Sequence, residues 1–208
     1  YSELFQNYDR GQIEHYLPES IEIANSDGIT VHFAETHDNP RLASRSRVYA
    51  RMRTALCALF SDQGAYGFAN GVEWYAAEKI NVHNSPSLNW GAPVNQVDRI
   101  RRLNQLLKTL PVFRGPSETR MIQDNNGNQV VLLRRHIPTG RSLLVVVNLD
   151  DENQTTASWN PTTAGTSGID FIDLLSETGV RVSESDDRHT CLLEPGQVLC
   201  LSQDESDL

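Results

Sequence analysis

The hydrophobic pattern of this chain changes once, at Arg114-Gly115-Pro116, and the change restricts the fold to two parts of different kind. Before it, apolar residues recur at helical spacing. In residues 46–60 the stripe is Val48, Met52, Leu56, Leu59 and Phe60. A second stripe carries Val97, Ile100, Leu103 and Leu107 inward and ends before Pro111, with Asn95 as cap and Asp98 in the first turn. Residues 2–17 are polar-aromatic and also helical by expectation, with Leu4, Phe5, Tyr8 and Ile13 as packing positions. Asp27-Gly28 marks a turn into a short strand over 29–34, and 64–68 reads as another. After the change the runs are short and β-like: 119–123, 130–136, 143–148, 155–159, 169–174, 180–183, 190–193 and 197–201. Turn residues separate them, as at 124–127 and 138–140. Many short strands without intervening helices argue an antiparallel sandwich. The expected division is 1–115, a part of alternating helices and strands, and 116–208, an antiparallel β domain. The acidic residues from Gln203 onward are expected to fray.

A chain of 208 residues can bury a core. Its formal net charge of -9 argues against nucleic acid as a partner. Arg99, Arg101, Arg102, Arg134 and Arg135 are interleaved with apolar residues and read as solvated faces. No apolar run is long enough for a membrane helix, and no membrane partner is expected. No signal peptide is visible, so a cytoplasmic location is the expectation. Three cysteines are too few for a disulfide framework. Cys57 lies on a helical stripe and reads as core. Cys191 and Cys200 flank the hairpin signal Glu194-Pro195-Gly196; they read as buried free thiols, with a cross-ladder pair as the alternative. No CxxC or HExxH motif occurs, and neither a metal nor a cofactor is expected. The stretch 125–128 reads as a hairpin turn rather than a calcium loop. Asn153-Gln154-Thr155 is a glycosylation sequon by pattern only.

The residues that carry chemistry lie at Phe33-Ala34-Glu35-Thr36-His37-Asp38-Asn39-Pro40-Arg41, just past the carboxyl end of a strand. In a (β/α) barrel that end faces the active site. Two carboxylates, an imidazole and a guanidinium crowd into seven residues there, a cluster that fits either a site or the surface decoration common on loops. Glu35 precedes Asp38 by three residues in an extended segment, falls on the opposite side, and reads as structural.

Phe33, His37 and Asp38 resemble the F-x-x-x-H-D motif on the seventh barrel strand of the α-amylase superfamily, glycoside hydrolase family 13. Thr36 stands where that motif usually has Asn. Tyr66-Gly67-Phe68 to Gly71-Val72-Glu73 resembles the eighth-strand segment, with an insertion. Glu78-Lys79, Leu88-Asn89-Trp90 and Ile100-Arg101-Arg102-Leu103-Asn104 are similar to the last barrel loop and helix. The β half resembles the domain that follows the barrel, and the maltosyltransferase-like subgroup comes nearest. The resemblance implies a fragment of a (β/α)8 barrel, its seventh and eighth strand units, followed by an antiparallel β-sandwich. It implies an α-glucan or maltooligosaccharide as the substrate of the whole protein, cleaved or transferred with retention.

By the same resemblance, Asp38 stabilises the transition state by holding the 2- and 3-hydroxyls of the reacting sugar, and His37 donates to hydroxyls of the same ring. Arg41 is a candidate to orient the loop, to pair with Asp38 or to join the substrate contacts. Glu73, Trp74 and Trp90 are further candidate substrate contacts, since aromatic rings stack on sugar faces; hydrophobic packing of a long loop explains the tryptophans equally well. A retaining glycosidase needs two carboxyl groups roughly 5–5.5 Å apart. The family carries these on its fourth and fifth strands, so this chain by itself is expected to be inactive. The missing barrel half, or a second chain, would cover the exposed strands. Two rivals remain open: a non-catalytic carbohydrate-binding module, which needs a groove of exposed aromatics, and a structural domain with a decorative loop at His37.

Overall fold

A computed structural model of the chain describes residues 2–26, 30–62, 65–81, 83–84, 87–122 and 127–208. The turn expected at Asp27-Gly28, and most of the turn expected at 124–127, fall outside these residues. The chain divides into two compact units, 1–104 and 105–208.

The first unit opens with helices α1 (Ser2–Gln6) and α2 (Arg10–Ala24). Asp9 caps α2, accepting the Gln12 N–H at 2.8 Å while the Gln12 side chain returns to the Asp9 N–H at 3.0 Å. The helix was expected to stop before Pro18, yet it runs through that proline. Its buried face, Ile13, Leu17, Ser20 and Ala24, continues at helical spacing across the break and holds both halves in one line. Next come β1 (Val31–Phe33), α3 (Leu42–Arg45), α4 (Arg47–Phe60) and β2 (Ala65–Gly67). Ser46 caps α4 by accepting the Tyr49 N–H at 2.9 Å.

Helix α4 is buried far beyond the single stripe expected of it. Every residue from Met52 to Phe60 is buried, including Arg53 and Thr54, whereas Val48 is exposed. A helix apolar nearly all round belongs in a core. Arg53 Nη2 donates to the Tyr8 carbonyl at 2.9 Å, and Tyr49 Oη to the Gln6 carbonyl at 2.7 Å, which fastens α4 to the segment after α1.

Strands β1 and β2 pair in parallel, with Val31, His32 and Phe33 opposite Ala65, Tyr66 and Gly67. The backbone of Gly67 lies under the Phe33 ring; a Cβ there would stand 2.6 Å from it. His32 faces inward, while Val31 and Phe33 are 52% and 38% exposed. Parallel strands are ordinarily covered on both faces. Slow amide exchange is therefore expected in the β unit and faster exchange in β1 and β2. Hydrogen-exchange mass spectrometry checks this, and equal protection before and after residue 104 would refute it.

Helix α5 (Val97–Thr109) buries Ile100, Leu103 and Leu106. The inward position is Leu106 rather than the expected Leu107, which is half-buried. Among the described residues the second unit then places nine strands in two sheets. These are β3 (Ser117–Met121), β4 (Gln129–His136), β5 (Ser142–Asn148), β6 (Thr155–Trp159), β7 (Asp170–Asp173), β8 (Thr178–Arg181), β9 (Ser183–Ser185), β10 (Arg188–Leu193) and β11 (Val198–Ser202), with a short helix, α6 (Pro161–Ala164), after β6. The larger sheet runs β3-β4-β5-β11-β7-β8 and the smaller β6-β10-β9, with antiparallel pairing throughout. Val131, Leu133, Leu144, Val146, Trp159, Phe171 and Leu193 meet in the core between them.

Three expectations for this half are corrected. Glu194-Pro195-Gly196 is not a hairpin: β10 pairs with β6 and β9, β11 with β5 and β7, and the turn carries the chain between sheets. Cys191 and Cys200 therefore lie in different sheets, and both are buried free thiols. Arg134 is not solvated. It is fully buried, donating from Nη2 to the Val112 carbonyl at 3.2 Å with its guanidinium 4.6 Å from the centre of the Phe113 ring. Nor do the residues after Gln203 fray: Arg141 Nη2 lies 2.7 Å from Asp204 and 2.6 Å from Asp207, and Ser202 Oγ donates to Asp207 at 2.6 Å. Among the described residues no helix is long and apolar enough to cross a membrane, and no group of three or more His, Cys, Asp or Glu could hold a metal ion.

Candidate functional site

The segment after β1 leaves the strand and returns to α3 as a loop closed at its base. Glu35 and Arg41 make the closure. The Glu35 carboxylate accepts from Arg41 Nε at 2.8 Å and from the Leu42 N–H at 2.7 Å, and Arg41 Nη2 lies 2.8 Å from it as an ion pair. Arg41 Nη2 also donates to the Asn70 carbonyl at 2.7 Å, tying this loop to the one after β2. Both side chains are withdrawn from solvent, Arg41 completely. Burial pushes the Glu35 carboxyl above its usual range, although the Leu42 N–H and the Arg41 charge pull it down. Gly71 is required beside this pair. Its φ is +95°, and a Cβ there would lie 2.9 Å from the Ala76 Cβ and 3.1 Å from Arg41 Nη2.

His37 and Asp38 stand at the apex of the loop so fastened. Nε2 of His37 lies 3.3 Å from Oδ1 of Asp38, and the side chains are 60% and 78% exposed. Asn39 steadies the apex by donating to Thr36 Oγ1 at 3.3 Å. Beside the two residues lies a cavity of about 420 Å³ lined by His37, Asp38, Lys79, Ile80 and Asn81. It offers an acceptor, an imidazole, an ammonium and an amide within one concavity, a set that suits a polyhydroxylated ligand. Lys79 and Asn81 were not singled out as site residues from the sequence; the only signal was the position of Lys79 in the segment matched to the last barrel loop.

The remaining candidates lie elsewhere. Arg41, a candidate to orient the loop, to pair with Asp38 or to join the substrate contacts, bonds Glu35 and the Asn70 carbonyl and so fastens the loop. Glu73, in a 3₁₀ turn (Val72–Trp74), turns back to accept the Gly71 N–H at 2.9 Å, and its carbonyl takes the Gln96 N–H at 2.9 Å. Trp74 and Trp90 do meet, with ring centres 5.6 Å apart and planes tilted by 42°. Trp90 is 77% exposed, and Asn89 Nδ2 donates to the Trp74 carbonyl at 2.7 Å. The described residues that line the cavity at Asp38 include neither tryptophan. Trp159, the one tryptophan of the β half, is fully buried and so cannot line the groove of exposed aromatics that a binding module needs.

A short parallel strand pair with helices, followed by an antiparallel sandwich, is the fold found in α-amylase-type enzymes. The chain aligns over 96% of its length with the noncanonic maltogenic α-amylase AmyB from Thermotoga neapolitana, at a TM-score of 0.75 and 21% identity, covering 47% of that protein. It aligns over 99% of its length with a γ-CGTase from alkalophilic Bacillus clarkii, at a TM-score of 0.74 and 18% identity, covering 31% of it. An α-amylase from Lactobacillus plantarum gives a TM-score of 0.62 at 18% identity, with 92% of this chain and 45% of that one covered. The chain thus spans less than half the length of each of these proteins. No family model and no curated protein matches it.

Proposed function

We propose that this chain forms the His-Asp side of the active site of a retaining α-glucan-active glycoside hydrolase or transglycosylase. The nucleophile and the acid/base would come from barrel strands outside these residues. The observation that carries the reading is the display of His37 and Asp38 together, on a loop held rigid by the buried Glu35–Arg41 pair, beside a cavity that also holds Lys79 and Asn81. Asp38 grips the hydroxyls of the reacting ring. Those bonds strengthen as the ring flattens toward an oxocarbenium ion, so they lower the barrier rather than only the dissociation constant. His37 donates to the same ring and keeps its register. Maltooligosaccharides are the substrate class, and the remaining barrel strands cover the exposed Val31 and Phe33.

The test uses the intact protein with maltooligosaccharides and follows the anomeric configuration of the first product by NMR. The α anomer is expected, and residues 1–208 expressed alone are expected to show no turnover. An intact protein inert toward every α-glucan tried would overturn the reading. So would turnover by the isolated segment that Asp38→Ala abolishes, which would turn attention to Glu35 and Glu73 as the catalytic pair.

A further inference from the structure

A second cavity, of about 210 Å³, opens at the start of α5 and is lined by Arg51, Tyr75, Asn95, Gln96, Asp98 and Arg99. It shares no lining residue with the cavity at Asp38. Its size is below the roughly 300–1,000 Å³ of sites that enclose drug-sized molecules, so its ligand is small.

The walls are selective. Arg51 comes from the exposed side of α4 and Arg99 from the first turn of α5. The first turn of a helix also carries the positive end of the helix dipole, although here Asn95 Oδ1 already accepts the Val97 N–H at 3.1 Å. Asp98 is the only carboxylate among the described lining residues, and the Arg101 guanidinium pairs with it at the surface. Tyr75 is held at φ 53° and ψ 41° after the 3₁₀ turn, its N–H donating to the Val72 carbonyl at 3.2 Å. Arg51, Arg99 and Arg47 all act electrostatically on its hydroxyl, against burial, which dominates and raises its pKa.

The decisive group is Gln96. It is 3% exposed, and its Nε2 donates to the Val72 carbonyl at 2.9 Å and to Thr54 Oγ1 at 3.4 Å. Those bonds fix the amide, so the remaining atom, Oε1, is an acceptor. It is buried and has no hydrogen-bond partner among the described residues. A buried acceptor left empty is costly, and a ligand that supplies a donor removes that cost.

We propose that this cavity is a binding site for a small phosphate monoester carried on a hydroxylated body, a sugar phosphate. The phosphoryl oxygens lie against Arg51, Arg99 and the first turn of α5, with the Tyr75 hydroxyl as a further donor. A ligand hydroxyl donates to Gln96 Oε1. The lining thus asks for two different things, an anion and a hydrogen-bond donor, and a phosphorylated sugar supplies both.

Isothermal titration of the intact protein with glucose 6-phosphate, inorganic phosphate and glucose tests this without any reading of activity, so its outcome is separable from that of the α-glucan assignment. Glucose 6-phosphate is expected to bind most tightly, inorganic phosphate more weakly and glucose not measurably, with affinity falling as salt is added. Arg51→Gln is expected to weaken the ester about ten- to hundredfold, the range for a hydrogen bond to a charged group. Arg51 is exposed, so the variant should keep its fold, which circular dichroism verifies; Tyr75→Phe provides a second, milder loss. Glucose binding as tightly as its phosphate would overturn the proposal, as would a folded Arg51→Gln protein with undiminished affinity. Inorganic phosphate binding as tightly as the ester would remove the sugar from it.

Discussion

Asp38→Asn in the intact protein is expected to lower kcat by about two to four orders of magnitude and to change KM far less. Asparagine keeps the shape of aspartate and removes its charge. A hydrogen bond to a charged group contributes about 1.5–3 kcal/mol, and two are at stake if Asp38 holds neighbouring hydroxyls. The loss falls on kcat because the reacting ring becomes electron-poor only as the bond breaks, and its hydroxyls then become better donors. Asp38 is 78% exposed and among the described residues makes only the 3.3 Å contact with His37, so the substitution should leave the melting temperature unchanged. Steady-state kinetics on a maltooligosaccharide reads both parameters, and a variant with near-parental kcat would remove Asp38 from the reaction.

Glu35→Ala is expected to cost about 3–5 kcal/mol of stability, the range for removing one partner of a buried ion pair. In a protein of this size that lowers the melting temperature by roughly 10 °C. The cost comes from what is left behind: the Arg41 guanidinium with no counter-charge, and the Leu42 N–H with no acceptor. Replacing both partners, as in Glu35→Leu with Arg41→Met, removes the stranded charge and should restore much of the loss. The pH dependence follows from the raised carboxyl. A folded-state value above the unfolded one makes the Glu35 contribution fullest below about pH 4 and diminishes it as pH rises through the raised value. Glu35→Gln should therefore compare best with the parent at neutral pH and worst in acid. Thermal melts across pH measure this, and a Glu35→Ala protein that melts with the parent would show that the pair does not hold the loop.

The short strands of the β half were legible because each couples a β-branched or apolar run to a turn signal, as at Val130–His136 and Pro138-Thr139-Gly140. Their partners were not. Glu194-Pro195-Gly196 has the composition of a hairpin, and nothing local distinguishes a turn that reverses within a sheet from one that crosses to another. Arg134 misled for a related reason: its acceptor, the Val112 carbonyl, lies in a 3₁₀ turn (Pro111–Phe113) outside its own strand. At the candidate site, His37 and Asp38 were readable from a motif. The closure behind them was only half readable. Glu35 was recognisable as structural from its side of the segment, but its pairing with Arg41 depends on how the loop folds back. The cavity at α5 left no trace in the sequence, because its residues come from three separate segments.

The order of the larger sheet bears on how this polypeptide is made. Strand β11 lies between β5 and β7, so among the described residues β3-β4-β5 and β7-β8 are joined only through a strand that follows all of them in sequence. Until Val198–Ser202 has emerged from the ribosome, β5 and β7 each present an open backbone edge. Such edges pair readily with those of neighbouring nascent chains. A reading frame interrupted before Val198 would yield two unjoined half-sheets and a sticky product. The integrity of the larger sheet thus hangs on one late segment, Val198–Ser202.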